Sequence, residues 1–354
     1  MARALAIVGM VMVHIGPVRV AGGGPAGAAY RVAHGRAAIV FIVLAGIGVS
    51  LLAGDRSPER IVGAWMRLGW RTLVLLPAGL ALQTLDIDVA VILQYYAVYF
   101  LVAMPALELS DRALLAVAAG SLTLGPLVLI WLERIVPSWF LPGVPAWHDA
   151  SRVARDIALT GYYPVVVWTA PLLVGMWIGR RDLRSTAATR TLGLAGVMTA
   201  AAAFITSDAL VALLGPATSS VDWHQLYVIE PHNEMPLWMV SSAGIAVAVI
   251  AGCVLLARRL PRVTWPFVAL GQLALTTYVT HLLVLHFWPE WLNRGTYGAA
   301  WLSVGRFTLV ALVLATAYLA VATRGPFELL LRPAMIRKPM AARERTDDAP
   351  DGHR

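Results

Sequence analysis

Apolar residues fall in ten blocks, at 2–18, 37–53, 70–85, 89–108, 113–136, 163–180, 191–215, 237–256, 265–288 and 300–323, separated by short polar linkers. Roughly 20 mostly apolar residues in a helix cross a hydrocarbon core of about 30 Å. The blocks reach or approach that length, so the pattern predicts an all-α polytopic membrane bundle of about ten transmembrane helices. Arginine marks alternate linkers: Arg56, Arg60, Arg67 and Arg71 after the second block, Arg180, Arg181, Arg184 and Arg190 after the sixth. Arg258, Arg259 and Arg262 follow the eighth block, and Arg324, Arg332, Arg337, Lys338, Arg343 and Arg345 the tenth. Basic short loops stay in the cytoplasm, which places all these linkers on one side and both termini inside. The opposite linkers, chiefly 137–162 and 216–236, are rich in Trp, Tyr, His and acids; there Arg152 and Arg155 are offset by Asp149 and Asp156.

Composition removes the competing classes. With 59% hydrophobic and 14% charged residues, the chain is not a water-soluble domain of its length. Its net charge of +8 sits in the inner linkers and tail, where it answers to anionic lipid rather than nucleic acid. The single cysteine, Cys253, excludes an intramolecular disulfide and a thiolate metal cluster. Abundant Ala, Leu, Val, Gly and Arg with scarce Lys suggests a GC-rich bacterial genome, and hence the bacterial inner membrane. Residues 1–333 read as one domain ending in a short interfacial helix at 326–332; the tail 334–354 is expected to be disordered. No internal repeat and no clearly broken helix pair is visible, which weighs against a transporter built on inverted repeats. The first block starts abruptly after Arg3, so in-frame codons upstream are expected to encode a short cytoplasmic lead with an acid and an arginine.

Polar side chains inside spans are costly and are functional candidates by default. His14, Arg36, Gln94, Tyr95, Asp208, His281, His286 and Arg306 fall at one depth near the outer face, on six helices. A site opening outward requires such a layer. Each has a plainer role: Arg36 snorkels, His286 anchors beside Trp288, Asp208 and Arg306 neutralise each other, and Gln94 and Tyr95 bond between helices. His14 and His281 lie inside apolar runs, and a neutral imidazole there suits proton transfer. No G-x-S-x-G elbow, H-E-x-x-H helix or phosphate loop is present; the 22–24 glycine run lacks its lysine. His224, Glu230, His232 and Glu234 are metal-ligand types at a spacing that fits no standard site, and no metal is expected.

Arg3 and His14 in RALAIVGMVMVH, the segment FIVLAGIGVS at 41–50, Arg60, Arg67 and Arg71 before Pro77, and LGQLALTTYVTHLLVLHF at 270–287 resemble the membrane-bound acyltransferase-3 family. HGRAAIVFIVLAG, VILQYYAVYFLVAMPAL, TGYYPVVVWTAPLLVGMWIGR, the Pro231-His232 pair and RGPFELLLRP are closer still to bacterial relatives of heparan-alpha-glucosaminide N-acetyltransferase and to the YeiB-like membrane proteins. The likeness covers nearly the whole chain. It implies a membrane acyltransferase that moves an acyl group, acetyl by analogy, from cytoplasmic acyl-CoA to a glycan or other envelope acceptor outside. Arg3, Arg60, Arg67 and Arg71 would then form the cationic mouth for the CoA phosphates, although positive-inside topology asks for the same arginines. His14 or His281 would supply the base. His34 lies in the loop that carries that family's catalytic histidine, at a different spacing from the following helix. The alternatives are a proton-coupled small-solute permease with the intramembrane His, Asp and Arg as relay, and a structural role in envelope export. The bilayer is the certain partner, and the sequence is compatible with an oligomer.

Overall fold

The computed structural model describes residues 1–15, 27, 30, 32–85, 87, 89–140, 149–291 and 296–333. The tail expected to be disordered, 334–354, lies outside the described residues, as do the 22–24 glycine run and the end of the first block. Every regular element among the described residues is helical. In chain order these are α1 (Ala2–Ile15), α2 (Arg36–Ala53), α3 (Pro58–Gln83), α4 (Leu93–Ala106), α5 (Asp111–Ile135), α6 (Ala150–Arg155), α7 (Val165–Gly179) and α8 (Thr186–Leu214). They continue as α9 (Pro236–Arg259), α10 (Pro261–Gln272), α11 (Ala274–Phe287), α12 (Tyr297–Val321) and α13 (Pro326–Leu330). Local chemistry sets several starts. Pro58 opens α3 just inside its first turn, and Ser110, Ser185 and Thr296 accept hydrogen bonds from Ala113, Ala188 and Ala299 N–H at the heads of α5, α8 and α12.

Each apolar block coincides with a helix or a bent helix pair, so the chain is a membrane helix bundle. Five helices, α2, α5, α8, α9 and residues 298–321 of α12, are long and apolar enough to span. Two bent pairs raise the number to seven: α6 with its π-helical extension Asp156–Thr160, followed by α7 at 55°, and α10 followed by α11 at 68°. At 14 residues each, α1 and α4 reach only about 21 Å at 1.5 Å per residue.

The α10–α11 break overturns the expectation of unbroken helices. Leu273 leaves helical geometry at φ −98° and ψ 30°. The orphaned amides that begin α11 find a carboxylate, with Leu275 and Thr276 N–H donating to Glu328 Oε1 at 2.8 and 3.0 Å and the Thr276 hydroxyl donating to Oε2 at 2.5 Å. An acid at a helix N-terminus is stabilising, and this one comes from the short helix α13. Trp70 Nε1 fastens α13 to α3 by donating to Leu330 O at 2.8 Å.

The bundle centres on α2, which packs on α1, α3, α7 and α9. Between hydrocarbon-bathed helices the driving force is close packing, so small residues mark the contacts. A Cβ at Gly46 would collide with the Leu172 carbonyl oxygen and one at Gly175 with that of Val43, so α2 and α7 touch backbone to backbone. The α8–α9 crossing repeats the device: a Cβ at Gly196 would stand 2.6 Å from Gly244 O, and one at Gly244 2.7 Å from Gly196 O. Gly46→Val is therefore expected to destabilise the bundle by roughly 1–3 kcal/mol or more, as overpacking does. Thermal unfolding in detergent checks this; an unchanged midpoint would refute the crossing.

Candidate functional site

Two cavities lie on either side of the start of α4. The first, about 490 Å³, is walled by Arg3 of α1, Arg71 of α3, and Arg324 and Arg332 flanking α13. Four guanidiniums face one carboxylate there, Glu328, and that acid is committed to the amides of α11. Leu93, Tyr96 and Phe100 supply the α4 wall, and Tyr278 the α11 wall. Arg71 lies with its guanidinium carbon 5.9 Å from the Phe100 ring centroid. Its Nε and the Tyr96 hydroxyl are shielded from solvent with no hydrogen-bond partner in the chain. Buried polar atoms left in this state are costly unless something else meets them. Positive charge and unmet polar atoms suit an anionic, elongated ligand.

The second cavity, about 730 Å³, opens at the other end and is acidic and aromatic, with Glu133, Asp156, Glu230 and Glu234 among its walls beside Tyr95 and Tyr162. Gln94 and Tyr95 face it, whereas Leu93 and Tyr96 face the arginine cavity, so one turn of α4 divides the two. Oε1 of Gln94, Oε1 of Gln225 and Nδ1 of His232 are buried there without hydrogen-bond partners. The loop into α9 takes a rare path: His232 and Glu234 have φ of +59° and +58°, a conformation that costs a residue bearing a Cβ about 1–3 kcal/mol. Asn233 fixes it from both sides, its Nδ2 donating to Val228 O at 2.8 Å and its Oδ1 accepting from Met235 N–H at 3.2 Å.

A histidine pair stands one helical turn beyond the arginine cavity. Met10 and Tyr278 line that cavity; four residues along α1 is His14 and three along α11 is His281, and their Nδ1 and Nε2 approach to 2.9 Å. The rings stack at 5.2 Å. His281 is 1% exposed, and Tyr278 packs edge-on against it at 5.1 Å. Tyr278 Oη in turn accepts from Ile92 N–H at 3.1 Å, joining the pair to the head of α4.

The sequence-predicted residues thus separate into groups. His14 and His281 meet; Gln94 and Tyr95 share the acidic cavity; Arg3 and Arg71 share the arginine cavity. Arg60 instead pairs with Asp55 at 3.3 Å, both largely exposed. Arg67 bonds its own helix at Gly63 O. Two members of the expected polar layer, Asp208 and Arg306, join none of these groups. Asp208 and Arg306 lie exposed on α8 and α12, and no ion pair joins them among the described residues. Only 17% and 11% of the apolar windows of those helices are buried, so the rest of the chain leaves most of their circumference uncovered. Arg36 is buried, with its guanidinium 5.6 Å from the Phe204 ring centroid, and His286 packs on Phe287.

In the sequence, Arg324, Arg332 and Arg180 answer to topology alone, and His232 and Glu234 to a set of metal-ligand types whose spacing fits no standard site. Arg180 in fact clamps the α4–α5 turn, donating to Leu109 O and Asp111 Oδ1 at 2.9 Å each. Among the described residues no group of three or more His, Cys, Asp or Glu is placed to hold a metal.

His34, in the turn ahead of α2, faces His232 at 5.5 Å between ring centroids. Burial first, then His232 and Arg36, push its pKa down to about 4. A histidine whose folded value is depressed stabilises fully above its unfolded value near 6.5 and loses that contribution as pH falls toward 4. The melting midpoint of the protein is expected to fall across that window, and to fall less in His34→Gln. Equal slopes would contradict the burial of a neutral ring.

No curated protein matches the chain. A family described as a protein of unknown function, DUF418, matches residues 178–338. The heparan-alpha-glucosaminide N-acetyltransferase catalytic family matches residues 1–214, which carry α1 to α8 and therefore His14, the α4 partition and two of the four arginines of the first cavity. With more than half of its 354 residues matched, this membrane helix bundle of acetyltransferase type belongs to the heparan-alpha-glucosaminide N-acetyltransferase catalytic family.

Proposed function

We propose that the chain transfers an acyl group, acetyl in keeping with its family, from acyl-CoA held in the arginine cavity to an acceptor held in the acidic one. The observation that carries this reading is the pairing of two chemically opposite cavities across one turn of α4, with the His14–His281 pair one helical turn beyond the first. Arg3, Arg71, Arg324 and Arg332 receive phosphate from the cytoplasmic side, where the arginine distribution puts them. The pantetheine arm runs past Tyr96 and Tyr278 toward the histidines. The acceptor, a sugar or other envelope component carrying an amine or hydroxyl, enters from outside. Its lone pair attacks the thioester carbonyl while the acceptor gives up its proton to a base on its own side, the carbon–sulfur bond breaks, and one proton held by the His14–His281 pair passes to the departing thiolate. The cell envelope of a bacterium is the setting in which such an acceptor is met.

Purified protein in nanodiscs, given acetyl-CoA and glucosamine, is expected to release CoA and acetylated sugar. A protein that neither binds CoA nor releases it would overturn the reading. The α10–α11 break favours a second reading, since discontinuous helices build solute sites in transporters. There the head of a half-helix receives the solute's anionic group, whereas here Glu328 fills it. Solute uptake without CoA binding would select the permease.

A further inference from the structure

The acceptor must lose a proton as it attacks, and the His14–His281 pair belongs to the donor end. At the acceptor end one imidazole is exposed to the cavity. His232 lines it and stands in a cage of Trp168, Trp238, Tyr162, Tyr163 and His34, with ring centroids between 5.5 and 6.5 Å. Such a cage leaves the ring little freedom to turn. Its Nδ1 lies 3.7 Å from Glu234 Oε1 and has no hydrogen-bond partner. Glu234 is 8% exposed, and its other oxygen accepts from Trp168 Nε1 at 3.0 Å, so the carboxylate is aimed and not free to swing away. On the opposite edge, a Cβ built on Gly35 would come within 3.2 Å of His232 Nε2; a glycine at φ +72° leaves that nitrogen uncrowded. The two residues sit at the left-handed positions of one turn, which holds both side chains on the same side of Asn233.

We infer that His232 is the base that takes the proton of the acceptor nucleophile, and that Glu234 is its positioning residue. This rests on the acyl-transfer reading. A carboxylate facing Nδ1 keeps the proton on that nitrogen and leaves the Nε2 lone pair available; apo distances of this kind commonly shorten when substrate binds. As the acceptor nitrogen or oxygen bonds to the carbonyl carbon, its proton passes to Nε2. The carbon–sulfur electron pair leaves with sulfur, which is protonated at the His14–His281 end. His34 packs against the His232 ring at 5.5 Å, behind it as seen from the cavity-lining residues.

The test uses the full chain in nanodiscs with acetyl-CoA as donor and glucosamine as acceptor, beside diethyl pyrocarbonate, which carbethoxylates unprotonated imidazole nitrogens, read at each histidine by peptide mass spectrometry. His232→Gln is expected to lower kcat by about 100-fold or more while CoA affinity stays within twofold, and His232→Asn serves if the first variant elutes as aggregate. Glu234→Gln should lower kcat about tenfold or more at unchanged KM for acetyl-CoA and slow carbethoxylation of His232 several-fold, with Glu234→Asp restoring part of both. Transfer by His232→Gln within threefold of the parent, or a carbethoxylation rate indifferent to Glu234→Gln, would overturn the assignment. If the parent protein binds no CoA and transfers nothing, the acyl-transfer reading falls, and the carbethoxylation comparison alone still decides whether Glu234 sets the state of His232.

Discussion

Replacing His14 by alanine is expected to reduce acyl transfer by about 10²- to 10⁴-fold, the range in which a positioned proton-transfer group contributes. His14 and His281 share a 2.9 Å hydrogen bond, so one ring donates and the other accepts, and the pair holds and passes a proton as a unit. Groups that act as a unit do not add. His281→Ala and the double variant should therefore each be nearly as slow as His14→Ala. Deleting His14 also strips a hydrogen bond from a ring that is 1% exposed, which costs about 1–3 kcal/mol of stability. His14→Asn, which restores a polar partner without a titratable one, separates the two effects: it should recover the melting midpoint and leave transfer low. Full transfer by the double variant would remove the pair from the mechanism.

Each apolar block coincides with a helix or a bent pair, because in lipid a spanning segment must satisfy its own backbone and so announces itself as a long apolar run; α6, inside the 137–162 linker, carries no such mark. The apolar pattern did not reveal the bend at Leu273. The carboxylate that satisfies the second half-helix comes from Glu328, 55 residues away, and the Leu273 segment is as apolar as its neighbours. The meeting of His14 and His281 was legible in part: both are imidazoles within apolar runs at one depth, and buried polar groups seek partners. Asp208 and Arg306 met the same criterion and stand apart, since depth along the membrane says nothing of rotation about the helix axis. The His232–Glu234 turn was hidden for another reason. Two left-handed residues without a glycine leave no mark in composition, and the Pro231-His232 pair registered only as a likeness to the family.

Substituting two arginines of the first cavity should have the other large effect. A charge-assisted hydrogen bond contributes about 1.5–3 kcal/mol, so Arg71→Ala or Arg324→Ala is expected to weaken CoA binding by roughly 10- to 100-fold. The double variant should lose about 10²- to 10⁴-fold if their phosphates are separate, and less if one phosphate bridges both. Arg60→Ala is the counterpart that the geometry singles out. Its side chain is 60% exposed and paired with Asp55 outside the cavity, and an exposed ion pair contributes about 0–1 kcal/mol, so its CoA affinity should stay within about twofold. The family resemblance implies a phosphate mouth with Arg60 beside Arg71 and without Arg324. Calorimetric titration of CoA into the four proteins in nanodiscs decides between the two sets. A loss in Arg60→Ala equal to that in Arg324→Ala would return the donor to the α2–α3 linker and take it out of the cavity closed by α13. With Arg324 confirmed and Arg60 neutral, the C-terminal segment becomes part of the donor site. The DUF418-matched half, residues 178–338, would then supply two of its four cations, Arg324 and Arg332, together with His281.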